Sequence, residues 1–243
     1  MHDLEPNHTR RSSAEEAMIA RPTSSPLQIL STHRREFTVG VLGVLAPLIA
    51  FTGIAEDVLQ HEAFAWDVRT LEALHAQATP TLDAVMLAIT HTGDVKVLGG
   101  FLMIVLLGLW FGGFPRNATF LALSSGGAAA MNIALKSWFQ RPRPELWVRL
   151  IPEHDFGFPS GHAMGSVAVV AALAVLAWPT RWRWPVIVLG MGFALAVSVS
   201  RLYLGVHYPS DVIAGGVLSL AWVTALALGL RPELFARKSE VQS

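Results

Sequence analysis

Cysteine is absent from the 243 residues, which removes disulfides and thiolate metal sites and leaves the redox compartment unreadable. Charge is scarce. Asp, Glu, Lys and Arg make up 15% of the chain, against about 25% in ordinary soluble domains. An excess of one sign is missing too: 18 basic residues balance 18 acidic ones, which argues against a general nucleic-acid binder. Tyrosine occurs only twice beside eight tryptophans, an imbalance that selects no function. The first 33 residues hold no apolar stretch resembling a signal-peptide core. They are polar, are broken by Pro22 and Pro26, and read as part of a disordered cytoplasmic tail over residues 1–36. What the chain does have is 52% hydrophobic residues and a mean hydropathy of +0.45. That points to a membrane.

Six apolar runs approach the roughly 20 helical residues needed to span a bilayer core. They are Phe37–Ala55 (an uncleaved signal anchor), Val95–Phe114, Ala118–Leu135, Ala163–Trp178, Trp184–Ser200 and Val212–Leu230. The fold class expected is therefore all-α: a polytopic six-transmembrane-helix bundle over residues 37–230, followed by a cytoplasmic tail at 231–243. Gly-rich patches such as Ser124–Ala130 and Ile213–Gly216 allow helices to approach closely. The stretch from Glu56 to His91 is too polar to span, yet has apolar residues at helical spacing. It reads as one or two amphipathic interfacial helices separated at Pro80, serving as a connector.

Placing the N-terminus inside puts Arg69, Lys96, Lys136, Arg141, Arg143, Arg149 and Arg201 outside and the rest of the 18 Lys and Arg inside. This matches the positive-inside rule except at one place. Lys136, Arg141, Arg143 and Arg149 crowd the outer loop between the third and fourth spans. Arg149 reads as a snorkelling residue; the others share a face with more polar chemistry. Six spans bring "KSWFQRPRP" (Lys136–Pro144), "PSGH" (Pro159–His162) and "SRLYLGVHYPSD" (Ser200–Asp211) to the same outer end. Strong cations, two histidines, a carboxylate and serines then converge at one depth. Guanidinium forks match phosphate oxygens, so the set reads as a phosphate site.

Each piece has a local mechanical reading. Ser160 caps the fourth helix, and Gly161 leaves room for a ligand at the free backbone amides, where the helix dipole favours an anion. His162 lies in the first turn beside that anion. Pro209 suits the start of the sixth helix, and Asp211, one turn beyond His207, can accept a hydrogen bond from one ring nitrogen and raise the basicity of the other. A metal at this pair lacks a clear third ligand; His154 with Asp155 is the nearest candidate. Asp94 can contact the site or cap the helix, and the cap is the reading favoured; Asn132 is the main polar residue midway along a span. His61, His75 and His91 have no partner that the sequence names.

Together these residues resemble the type 2 phosphatidic acid phosphatase superfamily. Lys136, six residues and Arg143-Pro144 match its first motif, Pro159-Ser160-Gly161-His162 its second, and Ser200-Arg201, His207 and Asp211 its third. The resemblance implies a metal-independent lipid phosphate hydrolase without a cofactor, acting through a phosphohistidine. It implies His207 as nucleophile, Asp211 as its orienting partner and His162 as acid and then base. Lys136, Arg143, Ser160, Gly161 and Arg201 are implied to hold the phosphoryl oxygens, with Arg141 supporting them. The expected substrate is a membrane lipid phosphate such as undecaprenyl diphosphate or a phosphatidic acid type lipid. The expected setting is a bacterial cell membrane, with both termini cytoplasmic and the site facing the exterior. A lipid-linked phosphotransferase and a non-catalytic lipid-phosphate binder or transporter stand as alternatives.

Overall fold

The structure, a computed structural model, describes residues 38–60 and 64–230. The tails expected at residues 1–36 and 231–243, and the expected first residue of the anchor at Phe37, lie outside the described residues. Among the described residues every regular element is a helix. The helices are α1 (Thr38–Leu59), α2 (Ala65–His75), α3 (Pro80–Thr92), α4 (Val95–Phe111), α5 (Pro115–Phe139), α6 (Gly161–Ala177), α7 (Arg183–Tyr203) and α8 (Pro209–Leu230).

Starts and stops follow local chemistry. Proline opens α3, α5 and α8, where its missing N–H costs nothing and its fixed φ suits a first turn. Thr79 caps α3 by accepting from the Leu82 amide at 3.2 Å. Helix α5 stops at Gln140, whose φ of 47° lies in the left-handed region that ends helices. The Pro142 and Pro144 that follow prevent its resumption.

Helices α1, α5, α7 and α8 are long and apolar enough to cross a membrane. Helices α3 and α4 pass the same test as a pair bent by 44° at Gly93–Asp94, and α6 is an apolar helix of 17 residues. The expected second span, Val95–Phe114, thus corresponds to α4, which passes the test only together with α3, and the helices at the third and fifth expected spans run further than their apolar cores. Polar residues at helix ends are carried by backbone hydrogen bonding once the apolar segment is helical. Within the Glu56–His91 stretch, Glu56–Leu59 end α1, and α2 and α3 follow with the break before Pro80; the expectation that the stretch is too polar to span is corrected for α3, which passes the test together with α4.

Helix α6 sits at the centre and packs against α5, α7 and α8. It buries Ala163, Met164, Ser166, Ala168, Val169 and Ala172. A helix shielded by protein in this way needs less apolar length than one facing lipid. The close approach expected of "IAGG" is real at Gly215, where a Cβ would lie 2.8 Å from the Ser160 carbonyl. Large apolar side chains such as Leu42, Ile49, Ile104, Trp110, Val188 and Leu189 instead point outward, as they do when hydrocarbon replaces water.

Helix α2 is more than a connector. Its Asp67 and Leu71 are buried, it packs against α7 and α8, and its last residue, His75, stacks on Trp147 with ring centroids 3.9 Å apart.

Candidate active site

The ends of α5, α6, α7 and α8 meet beneath the loop over residues 140–160. Lys136 comes from the last turn of α5 and Arg143 from the loop. Ser160 is the N-cap of α6, and Gly161 and His162 are its first two residues. Arg201 closes α7, His207 precedes α8, and Asp211 lies in the first turn of α8. Ser160 caps as expected, its hydroxyl accepting from the Ala163 amide at 3.5 Å. Its own amide donates to the Asp211 carbonyl at 3.0 Å, tying the start of α6 to the start of α8.

Arg143 is the hub. Its Nη1 donates to the Val206 carbonyl at 2.8 Å and lies 3.0 Å from His207 Nε2. A guanidinium has only protons to give, so Nε2 is the acceptor and the ring proton sits on Nδ1. That nitrogen faces Asp211 Oδ2 at 3.4 Å, too long for a good hydrogen bond; it has no other partner. His207 is 1% exposed. Burial pushes its pKa well below the ordinary imidazole value, and the nearby Arg143, Arg201, Lys136 and His162 push the same way. The ring is therefore neutral, with its lone pair on Nε2.

Two loop carboxylates occupy the cations. Asp155 pairs with both Lys136 and Arg143 through its carboxylate, and its carbonyl accepts from Arg143 Nε at 2.9 Å. Glu153 pairs with Arg201 and lies 3.2 Å from Arg143 Nη2. Burial alone would raise the Asp155 pKa, but hydrogen bonds and charge from Lys136 and Arg143 outweigh it and hold the carboxyl below its usual range. Asp155 is thus committed to cations rather than free to complete a metal site. Arg201 is 1% exposed; its Nη1 donates to Thr90 Oγ1 at 2.8 Å, while its Nε–H is buried without a partner. An anion arriving here finds one donor open and three cations held by exchangeable carboxylates.

Three expectations need correction. Asp94 does not cap α4 with its side chain; its Oδ1 lies 2.9 Å from His162 Nε2. The bend at Gly93 brings it there, since a Cβ at Gly93 would lie 2.6 Å from Val197 and 3.0 Å from the His162 ring. Arg141 does not join the phosphate cations; it pairs with Asp211 and Asp67. Arg149 does not snorkel but binds the Pro144 carbonyl at 3.0 Å within the loop. Asn132 gains a role: its Nδ2 donates to the Pro159 carbonyl at 3.0 Å and anchors the "PSGH" turn to α5.

Sequence reasoning missed Asp67, Thr90 and Glu153. Thr90 and Asp67 lie in segments remote in sequence from the motifs, and the only signal was a polar residue interrupting an apolar helical face. Glu153 carried none beyond its proximity to "PSGH".

A helical membrane protein with Lys136, Arg143, Arg201, His162 and His207 gathered at one end of its bundle is the class that fold and site define. The PAP2 superfamily profile matches residues 117–233. Phosphatidylglycerophosphatase B of Bacillus subtilis is 33% identical over 146 residues, covering 58% of this chain and 71% of that protein. Undecaprenyl-diphosphatase BcrC of the same organism is 27% identical over 146 residues, covering 57% and 70%. The crystal structure of a transmembrane PAP2-type phosphatidylglycerolphosphate phosphatase from Bacillus subtilis superposes with a TM-score of 0.67 at 27% identity, covering 75% of this chain and 92% of that one. The chain belongs to the PAP2 superfamily. It is an integral membrane protein and a hydrolase of the phosphatase type.

Proposed function

We propose that the chain hydrolyses a lipid phosphate or diphosphate through a phosphohistidine on His207. The observation that carries this reading is the state of that ring: neutral, buried, its Nε2 lone pair directed at Arg143 and its Nδ1 toward Asp211. Phosphate drawn onto Lys136, Arg143 and Arg201 displaces the Glu153 and Asp155 carboxylates and recruits Arg143 away from Nε2, which frees the lone pair. Ser160 and the Gly161 amide complete the cradle at the N-terminus of α6.

In the first step Nε2 attacks phosphorus and the bond from phosphorus to the lipid-side oxygen breaks. His162 enters this step as the imidazolium: that oxygen takes its Nδ1 proton, while its Nε2–H stays held by Asp94 and the ring is left neutral. In the second step His162 accepts a proton from water, the water oxygen attacks phosphorus, and the P–N bond breaks. Inorganic phosphate leaves and His207 returns to neutral. Lys136, Arg143 and Arg201 stabilise charge on the phosphoryl oxygens in both transition states.

The orientation proposed has six spans, now counting α3 with α4 as one and α6 as another. The termini are cytoplasmic and the site faces the exterior, so the lipid tail stays in the bilayer while its phosphate reaches the pocket. Undecaprenyl diphosphate and phosphatidic acid type lipids are the substrates proposed, in line with the activities named for the relatives. Phosphate release over a panel of lipid phosphates, measured for wild type and His207→Ala, tests the reading. Release by wild type without an added acceptor separates hydrolysis from phosphotransfer, and activity retained by His207→Ala refutes the nucleophile.

A further inference from the structure

Asp211 belongs to a second buried group of charges besides its pairing with His207, and the group's anchor, Asp67, lies outside all three motifs. Asp67 of α2 is 1% exposed. Its Oδ1 accepts from the Ser210 amide at 2.9 Å, and its Oδ2 accepts from the Ser210 hydroxyl at 2.5 Å and from Arg141 Nη2 at 3.2 Å. Arg141 Nη1 donates to the same hydroxyl at 2.8 Å and to Asp211 Oδ1. The Arg141 guanidinium lies 4.5 Å from the centre of the Tyr208 ring, and the Tyr208 amide donates to Asp211 Oδ2 at 2.8 Å. Both terminal nitrogens of Arg141, the Ser210 amide and hydroxyl, and the Tyr208 amide each have an acceptor in the group. The arrangement leaves Asp211 one oxygen, Oδ2, that faces His207.

We propose that Asp67 is a positioning residue for the nucleophile, acting through Arg141 and Ser210 on Asp211. Charge explains why a second carboxylate belongs here. Asp67, Arg141 and Asp211 together hold two carboxylates against one guanidinium, an excess of one negative charge. When Nε2 bonds to phosphorus, the His207 ring becomes cationic, and Arg143, Arg201 and Lys136 already surround it on the phosphate side. The excess charge behind the ring offsets that new positive charge in a site where burial strengthens every electrostatic interaction. Without Asp67, Arg141 neutralises Asp211 alone and the ring cation has no net counter-charge on its Nδ1 side. The network also fixes Asp211 in rotation, because Oδ1 is taken by Arg141. Helix α2, which resembled a connector in the sequence, thereby becomes part of the catalytic scaffold.

The inference rests on the phosphohistidine reading. Its test uses the full chain in detergent micelles with a short-chain phosphatidic acid as substrate. Asp67→Asn keeps the shape and removes the charge. The expected result is a kcat lower by roughly ten- to hundredfold, the scale of losses when the partner of a ligating or catalytic group is removed. KM should stay within about threefold, because the phosphate cations are untouched. The double variant Asp67→Asn with Arg141→Gln restores the single excess charge on Asp211 and should recover kcat above Asp67→Asn alone. A purely structural role moves the other way, with the double variant worse than the single. Wild-type kcat in Asp67→Asn, a KM rising in step with any loss, or a double variant below the single each overturns the proposal. If Asp67→Asn does not fold, the double variant is read against wild type: kcat within tenfold supports the charge account, and a deeper loss overturns it. His207→Ala is run alongside. Activity in that variant sinks the phosphohistidine reading, whereas an inactive His207→Ala beside a fully active Asp67→Asn sinks only the role of Asp67.

Discussion

Replacing Asp155 with Asn isolates what the loop carboxylates cost an incoming phosphate. Asp155 engages Lys136 and Arg143 together, and a bound phosphoryl group must break both contacts before it can use those cations. A hydrogen bond to a charged group contributes about 1.5–3 kcal/mol when buried. The Asp155 side chain is 54% exposed, however, and exposed ion pairs contribute only about 0.2–1 kcal/mol each. Two such contacts amount to about 1 kcal/mol, which corresponds to roughly a fivefold change in an inhibition constant. Inorganic phosphate should therefore inhibit Asp155→Asn with a Ki about fivefold lower than it shows for wild type. The assay is competition by phosphate against hydrolysis of a short-chain lipid phosphate in micelles. Because the Asp155 pKa is depressed in the folded protein, its contacts persist above the unfolded value near 3.9 and disappear only as pH falls through the lower folded value. The ratio of the two Ki values should hold steady from about pH 5 upward. A Ki that is unchanged or higher in the variant refutes the view that Asp155 competes with phosphate, as does a ratio that collapses between pH 5 and 7.

The neutral His207 ring has a signature in pH profiles. Its pKa is depressed by burial and by the surrounding cations, so the neutral form survives below the ordinary value near 6.5. The acidic limb of kcat/KM set by this ring should fall well below pH 6.5, and a limb at 6.5 or above contradicts that assignment. Thr90→Val keeps the volume of the side chain but strips the acceptor from Arg201 Nη1. Loss of a hydrogen bond to a charged group at about 1.5–3 kcal/mol should lower kcat/KM by roughly ten- to hundredfold. Wild-type kinetics in that variant show that Thr90 does not position Arg201.

Much of the site was legible because its residues are local in sequence to features with local causes. Ser160 caps because a hydroxyl before a helix finds a free amide, and His207 and Asp211 share a face because residues four apart meet near a helix start. The three motif-bearing segments meet at one end of the bundle, as span counting from hydropathy led one to expect. The misreadings share a different origin. Asp94 preceded a helix and so resembled a cap; only the bend at Gly93, packed against α7, turned it toward His162. Arg141 lay two residues from Arg143 and seemed bound for the same phosphate, yet Arg141 pairs with Asp211 and Asp67 while Arg143 goes to His207, Asp155 and Glu153.

Composition and hydropathy alone determined that this chain is helical and lives in a membrane, since apolar runs of spanning length have no other stable form in lipid. Motif spacing determined which residues would gather at one end of the bundle. Tertiary structure decided what stands behind and across from that site: Asp67 on Asp211 through Arg141, Thr90 on Arg201, Glu153 and Asp155 on the cations. These are contacts between residues up to 143 positions apart. No local periodicity encodes them, because a buried charge finds its partner only when the packing of α2, α3 and the loop has excluded the water that would otherwise solvate it.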